Sequence, residues 1–186
     1  VNNSNGELKA IVGGCLSNES LFSFQELTQE VKGDTFLHTN MAGGNLTSAF
    51  GFSQGSNHKD LDNKTTIIVA ASDLYQEAPI WWLRIKQASQ RGAKLVVMNP
   101  RKTKLDQFAD HVLSYSYGEA SQAILDLIPE KVEKNKSNSL KALIAETENL
   151  IVFYGSEGLG YDESENLSKA CARLLRETGH FGKPNN

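Results

Sequence analysis

The sequence predicts a three-layer α/β domain built on a mostly parallel sheet. Three observations carry that prediction. Short apolar, β-branched runs alternate with helical stripes along the whole chain. Residues 65–103, TTIIVAASDLYQEAPIWWLRIKQASQRGAKLVVMNPRKT, read as one complete strand–helix–strand unit. The length of 186 residues, with 39% apolar and 22% charged residues, is enough for one such domain with a sizeable core.

The elements follow in order. Ala10–Val12 is a short buried strand before the turn Gly13-Gly14. Ser17 is a candidate N-cap for a helix whose face is traced by Leu21, Phe24, Thr28 and Val31, with Gly33 as its stop. Thr35–Asn40 is the next strand, paired through its core near 35–39. Residues 41–57 (MAGGNLTSAFGFSQGSN) are too long and too rich in Gly, Ser and Asn for a turn, so they form a functional loop or a lid. Met41, Leu46, Phe50 and Phe52 within it are expected to need a cover from outside the chain.

Thr65–Ala71 is a run suited to a strand buried on both faces. Ser72 and Asp73 are turn or N-cap residues, and Pro79 fits the first turn of a helix. Trp81, Trp82, Ile85 and Ala88 share that helix's face, and Gly92 ends it. Leu95–Met98 and His111–Tyr115 are further strands. Ala120, Ala123, Ile124, Leu127 and Ile128 form a helical stripe. Residues 130–138 (EKVEKNKSN) have little to bury and read as an exposed linker. Leu140–Ala145 is helical and Leu150–Tyr154 is the last strand. Leu167, Ala170, Cys171, Leu174 and Leu175 mark the last helix at i, i+3, i+4 spacing. The core is expected to hold Val12, Phe24, Leu27, Ile68, Val69, Trp82, Ile85, Val96, Val97, Ile124, Ile151, Phe153, Leu167 and Leu174. The alternation throughout is Rossmann-like.

Composition excludes several functions. The net charge is −3 and there is no basic stripe, which argues against nucleic acid. No run approaches the length of a membrane helix, so direct membrane insertion is not expected. The start, VNNSNGELKA, has no apolar region of the kind a signal peptide needs. Cys15 and Cys171 are far apart and read as reduced core thiols, and the absence of a CxxC or Cys/His cluster leaves no local iron–sulfur or zinc site. The chain begins with Val and stops in a loop, so residues 1–186 read as a single domain excised from a longer protein.

Ligands of open α/β sheets sit outside the carboxyl ends of the strands. That places Ser72, Asp73, Asn99, Arg101 and Thr103 as the candidate cofactor-binding residues. The competing reading makes Asn99-Pro100 a turn and Arg101 an ion-pair partner. The loop Gly155–Gly160 (GSEGLG) lies between a strand and a helix, where phosphate can be cradled. Its spacing is not that of the dinucleotide fingerprint, and Glu157, Asp162, Glu163 and Glu165 would repel a phosphate, so a structural turn is favoured. His38, His58, His111 and His180 form no triad with a Ser or Cys. No catalytic residue and no metal ligand is assigned.

The segment GAKLVVMNPRKT, following a strand, a short Ser/Asn/Asp loop and a helix, resembles the molybdopterin-oxidoreductase domain. The phrases VFYGSEGLG and TGHFGKPNN resemble the large iron–sulfur subunit of NADH:quinone oxidoreductase, respiratory complex I. The resemblance covers roughly residues 10–186 and is poor over 130–148. It implies a formate dehydrogenase/DMSO reductase-like fold. It also implies a structural and assembly role in the peripheral arm, with no active site and no cofactor in this fragment; the lack of a thiolate, cluster ligands and a dinucleotide fingerprint predicts no redox activity and no NADH binding. Iron–sulfur clusters would lie only in upstream sequence. The partners implied are that upstream iron–sulfur domain and other peripheral-arm subunits, and the location is cytoplasmic, peripheral on the inner face of the cell membrane.

The alternative is the cofactor-binding domain of a catalytic molybdenum enzyme such as formate dehydrogenase. There the loops matching Ser72, Asp73, Asn99, Arg101 and Thr103 would hold bis-molybdopterin guanine dinucleotide. Arg101 would meet a phosphate, and Asp73 or Asn99 a ribose or guanine edge. The loop that should carry the metal's thiolate, FLHTNMAGGNLTSAFG, has no Cys. His38 falls near that position, and a neutral imidazole is a poor substitute for a thiolate on molybdenum.

Overall fold

The computed structural model describes residues 8–14, 16–46, 61–129 and 140–180. The chain divides into two compact units, Val1–Asn40 and Met41–Asn186. In the first, strands β1 (Lys9–Gly13) and β2 (Asp34–His38) flank helix α1 (Asn18–Glu30) and pair in parallel from Lys9↔Asp34 to Gly13↔His38. Ser17 caps α1 as expected, its hydroxyl accepting from the Ser20 N–H at 3.2 Å. The helix stop differs from expectation. Lys32, at φ 55°, takes the left-handed position. Gly33 is required instead by close approach, since a Cβ there would lie 2.7 Å from the Leu8 carbonyl oxygen.

Two expected core residues of this unit are corrected: Phe24 and Leu27 are 38% and 58% exposed. One helix over two five-residue strands has little apolar surface to receive them. The one α1 residue buried is Thr28, whose hydroxyl bonds back to the Phe24 carbonyl at 2.7 Å.

The second unit is a four-stranded parallel sheet in the order β5-β4-β3-β6. The strands are β3 (Thr65–Ala70), β4 (Lys94–Met98), β5 (His111–Leu113) and β6 (Asn149–Tyr154). All six strands occur where the sequence places them, but in two sheets rather than one. Alternate side chains of β3 and β4 enter opposite cores, as strands covered on both faces require. Ile68, Ala70, Val96 and Met98 pack on one side with helices α4 (Ala120–Leu125), α5 (Leu140–Glu146) and α6 (Tyr161–Glu177). Ile67, Val69, Leu95 and Val97 pack on the other with Ile85 and Ala88 of helix α3 (Pro79–Gln90).

Pro79 starts α3 and Gly92, at φ 108°, follows its end. A separate turn of helix, α2 (Leu74–Glu77), precedes it, broken from α3 at Ala78. Trp82 and Phe153, expected in the core, are half-buried at its edge. Trp82 meets Tyr75 and Phe108 edge-on, and Trp81 meets Phe153 at 5.1 Å between ring centres. The expected linker 130–138 and the residues Phe50 and Phe52 lie outside the described residues. The start of the 41–57 stretch is docked: the Ala42 N–H donates to Ser164 Oγ of α6 at 2.8 Å, and Met41 and Leu46 are half-buried.

Strand order fixes where a site can form. From β3 the chain moves to β4 and then β5 on one side, and β6 returns to β3's other side. The connections leaving β3 and β6 therefore diverge, and the crevice outside their carboxyl ends is the topological switch point where open α/β sheets bind ligands.

Candidate functional site

Three strand ends converge at this switch point. After β3 the backbone turns sharply through Ala71, a non-glycine residue at φ 49°, a conformation that costs on the order of 1–3 kcal/mol and persists only where the surroundings enforce it. The turn is held by the Ala71 N–H donating to the Met98 carbonyl at 3.0 Å. It sets Ser72 and Asp73, 4% and 5% exposed, against Asn99, 3% exposed, which follows β4. Asn99 Nδ2 donates to the Ser72 carbonyl at 3.4 Å.

Arg101 closes the group. Its Nη2 pairs with Asp73 Oδ2 at 3.0 Å, and its Nε pairs with Glu157 Oε1. The second oxygen of Glu157 accepts from Asn99 Nδ2 at 2.9 Å. Hydrogen bonds to Asp73 first, and then to Glu157, raise the Arg101 pKa above its ordinary value. Asp73, expected as a turn or N-cap residue, occupies the N-cap position of α2, but its carboxylate makes no capping bond. Glu77 serves that turn instead, accepting from the Ser72 hydroxyl at 2.5 Å and the Asp73 N–H at 3.4 Å. Two carboxylates, Asp73 and Glu157, thus hold one guanidinium, with Glu77 bonded to the same β3 turn. Two acceptors in the cluster, Asp73 Oδ1 and Asn99 Oδ1, are buried and have no hydrogen-bond partner among the described residues.

Glu157 is placed by backbone. The loop after β6 is tied to the loop after β3 by Gly155 N–H to Ala70 O at 3.0 Å and Glu157 N–H to Ala71 O at 2.8 Å. So close an approach needs Gly155, because a Cβ there would lie 2.6 Å from the Ala71 carbonyl oxygen. The rest of GSEGLG is a turn leading into α6. Glu163 reaches back to accept the Gly160 N–H at 2.7 Å, half of a capping box, since glycine has no side chain to return the bond.

Of the five residues singled out in the sequence, four meet here: Ser72, Asp73, Asn99 and Arg101. Thr103 turns away, its hydroxyl donating to Asp106 at 2.5 Å. Sequence reading placed Glu157 only as a repulsive charge and did not name Glu77. The signal for Glu157 was a carboxylate two residues beyond a strand-end glycine.

Other groups fall elsewhere. His38 is exposed at the end of β2, and His180 is a buried, satisfied residue, with Nδ1 2.8 Å from the Thr178 hydroxyl and Nε2 3.0 Å from the Thr147 carbonyl oxygen. Burial pushes the Cys171 thiol up to about 12, so it is no thiolate. Cys15 and His58 lie outside the described residues. Among the described residues no group of three His, Cys, Asp or Glu side chains is arranged to hold a metal.

A cavity of about 700 Å³ opens beyond β4 and β5, lined by Met98, Leu113, Tyr115, Glu119, Gln122 and Lys141 among others. Burial pushes its Tyr115 hydroxyl up to about 12, against the opposing pull of the Ala71 backbone.

Comparison with known proteins supplies the family. A family model described as molybdopterin oxidoreductase matches residues 1–186. No curated protein matches the sequence. Among solved structures, acetylene hydratase from Pelobacter acetylenicus is similar in fold at a TM-score of 0.62 and 16% identity, over 94% of this chain. The chain spans 30% of that protein's length.

Proposed function

Because this chain belongs to the molybdopterin oxidoreductase family, we propose that it is a structural and interaction module of that family, from the large iron–sulfur subunit of NADH:quinone oxidoreductase. In this reading it packs against the upstream iron–sulfur domain and stabilises the peripheral arm. Electrons pass through clusters held outside this segment. The observation that carries the reading is the closed strand end, where Arg101 is already held between Asp73 and Glu157.

The phosphates of a guanine dinucleotide do not fit this strand end as it stands. The guanidinium that would receive them is engaged, and Asp73, Glu77 and Glu157 would repel them. The phrases VFYGSEGLG and TGHFGKPNN support the complex I assignment over other members. Among the described residues no helix is long and apolar enough to cross a membrane, which is compatible with attachment to a membrane's inner face through other subunits.

A second reading, the cofactor-binding domain of a catalytic molybdenum enzyme, is favoured by the two buried acceptors Asp73 Oδ1 and Asn99 Oδ1. They would suit the N–H donors of a purine edge. Family membership supports either reading.

Elemental analysis of the full-length subunit separates the two. The first expects iron without stoichiometric molybdenum or tungsten, together with co-purification of peripheral-arm subunits. One molybdenum or tungsten per chain would overturn it.

A further inference from the structure

We infer that Glu157 is a built-in anion that keeps a latent phosphate-binding site at the β3/β6 switch point closed. A switch-point crevice lined by a fixed guanidinium is where an anionic ligand would enter. Here the carboxylate of Glu157 already makes both contacts an oxyanion would make, with Arg101 Nε through one oxygen and Asn99 Nδ2 through the other.

The backbone that carries that carboxylate is held in place. The Glu157 N–H is fixed to Ala71 O, and Gly155 lets the two loops approach to that distance. An internal ligand held this way acts at very high effective concentration, so a dissolved anion competes poorly with it. Asp73 holds the other edge of the guanidinium and adds a second repelling charge.

The inference deepens the proposed function by saying how the strand end is kept closed, and it rests on that reading only in concerning the same site. The assignment to a respiratory complex can fail on metal analysis while this holds, and the reverse is equally possible.

The test uses the whole chain with inorganic pyrophosphate and GDP as probes, titrated calorimetrically against the parent, Glu157→Gln, and the double variant Glu157→Gln/Arg101→Ala. The expected result is affinity for both probes at least about tenfold higher in Glu157→Gln than in the parent, with the gain abolished in the double variant. A gain for GDP alone, retained without Arg101, would overturn the inference, because the base rather than the phosphate would then be bound. Equal affinity in parent and Glu157→Gln would overturn it as well.

A second measurement reads the parent directly and needs no variant to fold. Arg84, Arg91 and Arg101 are all exposed, so modification by phenylglyoxal, followed by mass spectrometry, should be slower at Arg101 than at the other two only because its guanidinium is held by Asp73 and Glu157. Arg101 reacting at the rate of those two would show that the carboxylates do not hold it.

Discussion

Replacing Gly155 with Ala tests the hinge on which the closed strand end depends. The added Cβ would lie 2.6 Å from the Ala71 carbonyl oxygen, 3.0 Å from Ser72 Cβ and 3.2 Å from Glu77 Oε2. Close carbon–oxygen contacts settle near 3.3–3.6 Å, so the two loops must separate by roughly 0.7 Å. The nearest obstacle is backbone in a turn that is itself tied to β4 through Met98, so it cannot swing aside as a flexible side chain would. Overpacking of this kind costs about 1–3 kcal/mol. The bonds Gly155 N–H to Ala70 O and Glu157 N–H to Ala71 O would stretch with the loop, each contributing about 1 kcal/mol. Against this, the loss of glycine's freedom in the unfolded chain returns about 0.4–1 kcal/mol. The net expectation is a destabilisation of about 1–4 kcal/mol, read as a lower urea midpoint at unchanged slope. The same variant should speed phenylglyoxal modification of Arg101, because Glu157 retreats with its loop. Gly13→Ala is the control, since among the described residues nothing lies within 4 Å of its added Cβ. A Gly155→Ala chain as stable as the control, with Arg101 still protected, would refute the reasoning that glycine places Glu157.

Three further variants probe the scaffold. Leu174→Ala empties a position that is 0% exposed in the α6 core and should cost about 2–5 kcal/mol; a loss under about 1 kcal/mol would mean that α6 is peripheral. For Asp110, burial acts to raise the pKa, but the Leu95 N–H and Lys94 outweigh it and hold the group below its ordinary value of 3.8. A depressed carboxylate contributes stability that is present above its unfolded pKa and lost as pH falls through its folded one. Asp110→Asn should therefore destabilise most near neutral pH, with the gap to the parent closing as pH drops below 3.8; a gap independent of pH in melting curves would refute the linkage. Gly160→Ser supplies the missing half of the capping box with Glu163, so it should raise stability by a few tenths of a kcal/mol, and a lower urea midpoint would show that the cap geometry has been misread.

The fold of the second unit was legible because its signals are local. A six-residue strand, β-branched at every position but Ala70 and buried throughout, Pro79 at a helix start and Gly92 past its end each state their structure within a few positions. Register and sheet membership are not local. Nothing in Ala10–Val12 or Thr35–Asn40 says that these strands pair with each other and not with β3. The misplacement of Phe24 and Leu27 has the same origin: helical spacing identifies an apolar face, but not whether enough surface exists to cover it. Asp73 shows a third limit. Its residue type predicts a turn or N-cap position, which it takes, but the guanidinium of Arg101, 28 positions away, holds the carboxylate that could have capped.

The site itself was half legible for a reason that also bears on its function. Strand-end logic finds Ser72, Asp73, Asn99 and Arg101 because each follows a recognisable strand. It cannot find their shared partner, since Glu157 is 56 positions from Arg101 and 58 from Asn99. Taken singly, the four residues look like a ligand cradle with one cation. Taken with Glu157, they are a cation held between two carboxylates, beside two buried acceptors that lack donors among the described residues. Such a surface discriminates by charge: it disfavours phosphate and favours hydrogen-bond donors. At this strand end the two functional readings differ in whether Arg101 is released. In a working dinucleotide site Glu157 would have to give up the guanidinium to a phosphate, and the anchors of its loop, Gly155 N–H to Ala70 O and Glu157 N–H to Ala71 O, oppose that movement.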